Sequence, residues 1–302
     1  MKVLVTGGAG FIGSATVDLL LEEGYSVAVV DDLSTGKASN IDPRATFYKM
    51  DITRKGLEKV LRREQADGIV HAAAQPQVRR SLGDPIFDAR VNILGTVNLL
   101  LGCKGVEKFV YASSGGAVYG EPRYLPMDED HPVAPLSPYG LSKYVAEGYL
   151  KVLRDLPYTV LRYGNVYGPR QDPDGEAGVV AIFAGRLLRG ERPTIFGDGK
   201  QTRDFVYVGD VARANLLAME KGEGVLNIGS GRETSVLEVL ETLEALTGRE
   251  TEPVYAPPVE GEVRHICLGI GKARRVLGWR PTVQFSDGAA RLLEHLTSRN
   301  SP

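Results

Sequence analysis

Residues 2–13 read KVLVTGGAGFIG and already give a strand, a turn and the start of a helix. Residues 2–6 are apolar and β-branched, which marks a strand. A cluster of glycines follows at once, and a helical pattern, SATVDLLLEEG, opens behind it. Gly8, Gly10 and Gly13 satisfy G-x-G-x-x-G, while Gly7, Gly10 and Gly13 satisfy the related G-x-x-G-x-x-G. Glycines here let the backbone turn tightly and approach a pyrophosphate, whose charge then rests on the amides at the helix N-terminus. A glycine pattern alone is weak evidence, but this one has the strand before it and the helix after it.

Working outward, apolar runs at 26–31, 45–50, 68–73, 108–113 and 158–163 alternate with amphipathic helical stretches. Such alternation predicts a parallel sheet covered by helices on both faces. The expected fold is α/β: a Rossmann-type doubly wound parallel sheet with a smaller, interleaved α/β substrate-binding cap. We expect residues 1–165 to form the dinucleotide-binding domain, with 206–230 returning to it, and 166–302 to form the cap. The loop GPRQDPDGEAG after Asn165, rich in glycine and proline, marks the change of pattern.

Composition narrows the function. Of 302 residues 43% are apolar and 25% charged, as in a soluble globular protein. A net charge of −2 gives no positive field for nucleic acid or an anionic membrane. No apolar run approaches the ~18 residues that span a bilayer. Cys103 and Cys267 have no metal-ligand spacing and read as small core residues. With no basic, apolar leader before Lys2, the expected location is the cytoplasm. No metal site is expected.

Two groups point to redox chemistry. Asp31 ends the second apolar run, where a carboxylate would accept the ribose 2′-hydroxyl of a dinucleotide, and Asp32 stands beside it. Two carboxylates would repel a 2′-phosphate, so NAD is expected rather than NADP. Further on, SPYGLSKYVAE places Tyr139 and Lys143 one helical turn apart on one face. An ammonium near a phenol favours the phenolate, and a phenol so tuned can exchange a proton with a carbinol or carbonyl. With 13 tyrosines in the chain, chance alone supplies about half a Tyr–Lys pair of this spacing. The pair becomes informative because it follows the fifth strand of a dinucleotide domain.

TGGAGFIG, Asp31, VYG at 118–120, SPYGLSK, LRYGNVYGPR at 161–170 and GDGKQTRDFVYVGDVA together resemble the extended short-chain dehydrogenase/reductase family, in its nucleotide-sugar epimerase branch. The resemblance covers nearly the whole chain. It implies C4 epimerisation, interconverting UDP-glucose and UDP-galactose through a transient 4-keto sugar, with NAD tightly bound. Tyr139 and Lys143 are then catalytic. The implied cofactor contacts are Gly7, Gly10, Phe11, Ile12 and Gly13 in the first turn; Asp31, Asp32, Thr35 and Gly36 after the second strand; and Asp51 and Ile52 after the third. Ala72, Ala73 and Ala74 follow the fourth strand, and Asn92, Ser113, Tyr139, Lys143 and Tyr163 complete the set. The implied UDP-sugar contacts are Asn165 and Val179 at the diphosphate or sugar, Thr194 and Phe196 at the uracil, Arg203 at the diphosphate, and Glu262 and Arg264 at the uridine ribose and phosphate. Helices at about 86–101 and 139–154 would form the interface of a homodimer.

The chain departs from the family pattern in one place. Counting back from Val118, the positions that carry a Ser or Thr hydroxyl in the family fall on Gly115 and Ala117. Ser113 is expected to face the cofactor, and Ser114 would serve the reacting oxygen only if the strand bulges. The dehydratases of the family carry an Asp-Glu pair in this loop; its absence here argues for oxidation and reduction without loss of water. Ile266 stands where bulk limits N-acetyl sugars, and its intermediate size leaves those open. Other readings are a uronic-acid epimerase, a net NAD-dependent dehydrogenase or reductase, and a non-catalytic NAD-binding scaffold.

Overall fold

A computed structural model of the chain describes residues 1–153, 156–174, 178–259 and 263–299. Its centre is a seven-stranded parallel sheet built from β1 (Lys2–Thr6), β2 (Ser26–Asp31), β3 (Thr46–Lys49), β4 (Gly68–His71), β5 (Lys108–Ser114), β6 (Tyr158–Tyr163) and β7 (Gly224–Ile228). The principal helices are α1 (Phe11–Glu22), α2 (Leu57–Glu64), α3 (Gly95–Gly102), α4 (Pro138–Leu153), α5 (Val179–Arg189), α6 (Val208–Lys221), α7 (Val236–Thr247) and α8 (Phe285–Arg299).

Successive strand residues point to opposite faces, and here both faces are buried. Val3 and Val5 of β1 pack with Val17 and Leu20 of α1 and Val211 and Ala218 of α6. Leu4, between them, packs with Leu57 and Leu61 of α2, Leu99 of α3 and Ala146 of α4. That is why the strands read as unbroken apolar runs rather than as alternating ones. The sheet order is β3-β2-β1-β4-β5-β6-β7. The order reverses between β1 and β4, and a crevice opens at the strands' carboxyl ends where it does.

Two strand boundaries depart from expectation. The run at 68–73 stops pairing at His71, and Ala72 and Ala73 turn out of the sheet while their amides stay on β1, Ala72 N on Thr6 O and Ala73 N on Thr6 Oγ1. The run at 108–113 instead continues in regular register through Ser114, which lies opposite Tyr163 of β6.

The second half builds its own core. α5, α7 and α8 pack through Phe183, Leu187, Leu240, Leu243 and Leu292. Ser235 and Glu238 form a capping box that starts α7. Short strands pair at the cleft side, Thr194–Phe196 with Val254–Ala256 and Asn165–Tyr167 with Phe205–Tyr207. Between these halves α6 packs on α1 and β7 joins β6 at the sheet's edge. The fully buried Asp204 ties the junction: its carboxylate accepts from Leu268 N at 3.0 Å, Ser230 Oγ at 2.7 Å and Gly231 N at 3.1 Å. Among the described residues no helix is long and apolar enough to cross a membrane.

Candidate active site

The crevice above β1 and β2 has the shape a pyrophosphate needs. Gly7 sits at φ +72°, and a β-carbon there would stand 2.6 Å from the amide nitrogen of Ala73. A β-carbon on Gly13 would strike the Gly7 carbonyl oxygen. The turn is closed by Gly10 N donating to Gly7 O at 3.1 Å, and no side chain caps α1 at Gly10. Amides of the first turn, with Phe11 and Ile12, are therefore available to an anion. These residues fit a dinucleotide diphosphate.

Asp31 ends β2 beside this turn. Its Oδ2 accepts from Ala9 N at 3.0 Å and its Oδ1 from Leu33 N at 2.8 Å. Burial pushes its carboxyl above the ordinary range, against the pull of those two amides. Asp31 thus fixes the glycine turn to the strand end, a carboxylate placed where a ribose hydroxyl would donate. Asp32 is exposed and accepts from Ser34 N, opening the loop that holds Thr35 and Gly36. Asp51 accepts from Thr53 N, Ile52 is buried against Gly95 of α3, and Ala72, Ala73 and Ala74 line the turn after β4.

Three expected cofactor residues have their side chains occupied inside the protein. Asn92, on a π-helical turn, directs its amide nitrogen at Gln75 O, Asp88 Oδ1 and Ser142 Oγ, and accepts from Gln75 N. It holds the loop after β4 against α4. The Tyr163 hydroxyl donates to Asn215 in the core beneath α1 and α6, which leaves its backbone for the crevice. The Ser113 hydroxyl donates to Glu147 Oε1 at 2.5 Å, so it too offers a cofactor only its backbone.

The reason for this last arrangement is strand alternation. With β5 regular to its end, consecutive serines face opposite ways, and Ser114 is the one on the side of the Tyr139 phenol, which it lowers. β5 reaches this serine without a bulge, one residue before Gly115, which has no hydroxyl. Tyr139 lies in the first turn of α4, its backbone N–H donating to Ser81 Oγ at 3.1 Å. Lys143, one turn on, is 3% exposed, and its Nζ lies 4.5 Å over the ring of Tyr111.

Electrostatics at this pair differ from expectation in one respect. Burial pushes the Tyr139 phenol up to about 12, Ser114 lowers it, and Asp88 raises it. The depression expected from Lys143 is overturned: burial raises the phenol, and Ser114 is the group that lowers it. Lys143 is pushed down to about 8 by burial, while Glu147 and Asp88 hold it up. His71, beneath it, is pushed to about 3 by burial and by Lys143, and stays neutral. A partly buried phenol and hydroxyl and a buried ammonium thus lie at the end of β5 and the start of α4, a set that can move one proton to and from a bound oxygen.

On the opposite wall the substrate candidates are mixed. Asn165 Oδ1 is buried without a partner, beside Gly116, and stands ready to accept a hydrogen bond. Val179 is the first residue of α5, after an uncapped Gly178. Phe196 is 39% exposed, with the Arg79 guanidinium 5.6 Å over its ring. Thr194 is already engaged, accepting from Arg186 at 2.7 Å. Arg203 donates to its neighbour Thr202 O at 2.7 Å, and Arg264 pairs with Asp198 at 2.8 Å on the surface. Glu262 lies outside the described residues. Ile266 packs into a small core with Val118, Tyr119, Met127 and Leu268.

Sequence reasoning missed Asp88, Glu147, Arg162 and Ser81. A signal for Arg162 existed: a charged residue within the apolar strand YTVLRY demands a buried partner. Glu147 lies one turn beyond Lys143 and supplies it.

The comparisons with known proteins agree with this geometry. The family model described as the NAD dependent epimerase/dehydratase family matches residues 3–229. The UDP-glucose 4-epimerase of Mycolicibacterium smegmatis is 45% identical over 312 residues, covering 99% of this chain and 100% of its own length. The crystal structure of the Thermotoga maritima UDP-glucose 4-epimerase with UDP-glucose is 49% identical, covers 100% of both chains and superposes with a TM-score of 0.98. That of the Thermus thermophilus UDP-glucose 4-epimerase complex with NAD is 45% identical, covers 98% of this chain and 99% of its own, and has a TM-score of 0.93.

Proposed function

Because the chain belongs to the NAD-dependent epimerase/dehydratase family, we propose that it is an enzyme that interconverts UDP-glucose and UDP-galactose by inverting C4, with Tyr139 as its acid–base group. The observation that carries this reading is the placing of Tyr139 and Lys143 one turn apart on α4, with Ser114 at the end of β5 facing the phenol, beside a helical turn, Gly115–Val118, that contains no acid.

NAD, when bound, would supply the hydride acceptor and donor. The glycine turn would hold its diphosphate and Asp31 its ribose. Tyr139 takes the proton of the sugar O4 as C4 becomes a ketone, and returns it once the sugar has presented its other face. Ser114 orients the same oxygen. Lys143, charged below about 8, favours the phenolate against the cost of burial. Arg203, Arg264 and Phe196 anchor the UDP part. Binding energy held there is indifferent to which face of the hexose is presented, so it does not oppose the turn.

We also read the chain as two interleaved units, 1–165 with 206–230, and 166–302. The return of α6 and β7 to the sheet supports that division. A homodimer is supported by apolar side chains left exposed on neighbouring helices: Leu141, Tyr144 and Val152 follow one face of α4, and Leu94 and Leu101 lie one heptad apart beside it. A cytoplasmic location suits two thiols that are both interior.

The test is to incubate purified protein with UDP-galactose, UDP-glucose, their N-acetyl forms and UDP-glucuronic acid, and to separate the products. UDP-galactose should yield UDP-glucose with no accumulation of reduced cofactor. Lasting absorbance of NADH would instead indicate a net dehydrogenase, and conversion of the N-acetyl or uronic forms alone would reassign the substrate.

A further inference from the structure

The sheet and α4 meet at a buried ion pair that the reaction itself does not use. Glu147 Oε2 accepts from Arg162 Nη2 at 2.6 Å, and Glu147 Oε1 accepts from Arg162 Nε at 3.0 Å and from Ser113 Oγ at 2.5 Å. The Arg162 and Glu147 side chains are 5% and 6% exposed. The Arg162 guanidinium also lies 4.9 Å over the ring of Tyr119, whose hydroxyl donates to Asn227 of β7. Arg162 is therefore fixed by the sheet, and Glu147 is fixed by Arg162. A pair this deep gains little net stability, because desolvation offsets its attraction. A bidentate geometry with a third donor does fix direction.

That direction matters at two places. Glu147 lies on the helical face that carries Tyr139 and Lys143, at successive one-turn intervals. Ser113, which it grips, is covalently next to Ser114, which faces and lowers the Tyr139 phenol. We infer that Glu147 is a positioning residue: by holding Ser113 and Arg162 together it sets the rotation of α4 against the end of β5, and so the approach of Tyr139 and Lys143 to Ser114. This inference rests on the proposed function of that pair.

Glu147 also acts on Lys143 as a charge. The charged and ring groups that act on Lys143 are Glu147 from α4, Asp88 from the short helix Pro85–Ala89, Tyr111 from β5 and neutral His71 from β4. Two of these, Glu147 and Asp88, hold its ammonium up against burial. Removing the Glu147 charge lowers the pH at which Lys143 loses its proton, so the alkaline limb of activity moves to lower pH.

The experiment compares wild type, Glu147→Gln and the double variant Glu147→Gln/Arg162→Gln, which leaves no uncompensated buried cation. UDP-galactose turnover is measured from pH 6 to 10, and the Lys143 ammonium is titrated by NMR in the same proteins. Glu147→Gln should lose about 100-fold in kcat with KM for the UDP-sugar little changed. The alkaline limb and the Lys143 titration should both move down by about one unit in both variants. Glu147→Asp, which keeps the charge, should leave the limb in place. Variants that fold, keep the wild-type kcat and titrate Lys143 as wild type does would overturn the inference. A wild type that converts no UDP-sugar would instead overturn the functional reading beneath it.

Discussion

The hydroxyl of Ser113 donates to Glu147 at 2.5 Å, while its neighbour Ser114, on the other side of β5, faces the Tyr139 phenol and lowers it. One regular strand end thus gives two adjacent serines opposite duties, one in the pocket and one in the frame behind it. Replacing Ser114 by Ala should lower kcat by about 10- to 100-fold, since one hydrogen bond to the reacting site is lost. Ser113→Ala should lower it less, and through looser geometry rather than a missing donor. Steady-state kinetics on the two variants checks the assignment; equal losses would contradict it.

The ammonium of Lys143 should set an upper pH limit on activity. Burial has brought it down to about 8. Below that value the side chain is charged and favours the phenolate; above it the charge and the help are lost. The rate should therefore fall as pH rises through about 8. A profile measured with UDP-galactose that stays flat to pH 10 would show that the ammonium is not needed.

Gly13→Ala should cripple cofactor retention without unfolding the sheet. A β-carbon there strikes the Gly7 carbonyl, so the turn must open. Overpacking of this kind costs about 1–3 kcal/mol, which corresponds to roughly 10- to 100-fold weaker NAD binding if it falls on the site. Equilibrium dialysis or release of dinucleotide on denaturation measures it, and circular dichroism checks the fold.

The exposed stripe on α4 makes a prediction about assembly. Val152 is 74% exposed and Leu141 52%. Placing an aspartate at either position should turn a species of twice the chain mass into a monomer, read by light scattering after size exclusion. A wild type that is already monomeric would contradict the homodimer.

Much of the frame was legible because its physics is local. Val3, Leu4 and Val5 announce a strand buried on both faces, and the glycines after Thr6 announce the turn and helix that follow. Tyr139 and Lys143 were legible for a similar reason, since one helical turn separates them. What escaped was set by partners distant in sequence. Ser114 could not be chosen over Gly115 by counting back from Val118, because its facing depends on where β5 stops pairing with β6. Glu147 reads as an ordinary helix charge until Arg162, 15 residues on, is placed opposite it. Thr194 looks available until Arg186 is seen to occupy its hydroxyl. Burial at Tyr139 was likewise invisible, and it reverses the expected direction of the phenol's shift.

In the proposed reaction one phenol moves the proton of the sugar O4. The most direct measurement is the rate of UDP-galactose conversion by Tyr139→Phe, alongside the amount of NAD it carries. That variant should bind NAD as wild type does and lose at least about 100-fold in rate. A Tyr139→Phe protein that still carries its cofactor and turns over at a near-normal rate would contradict the account.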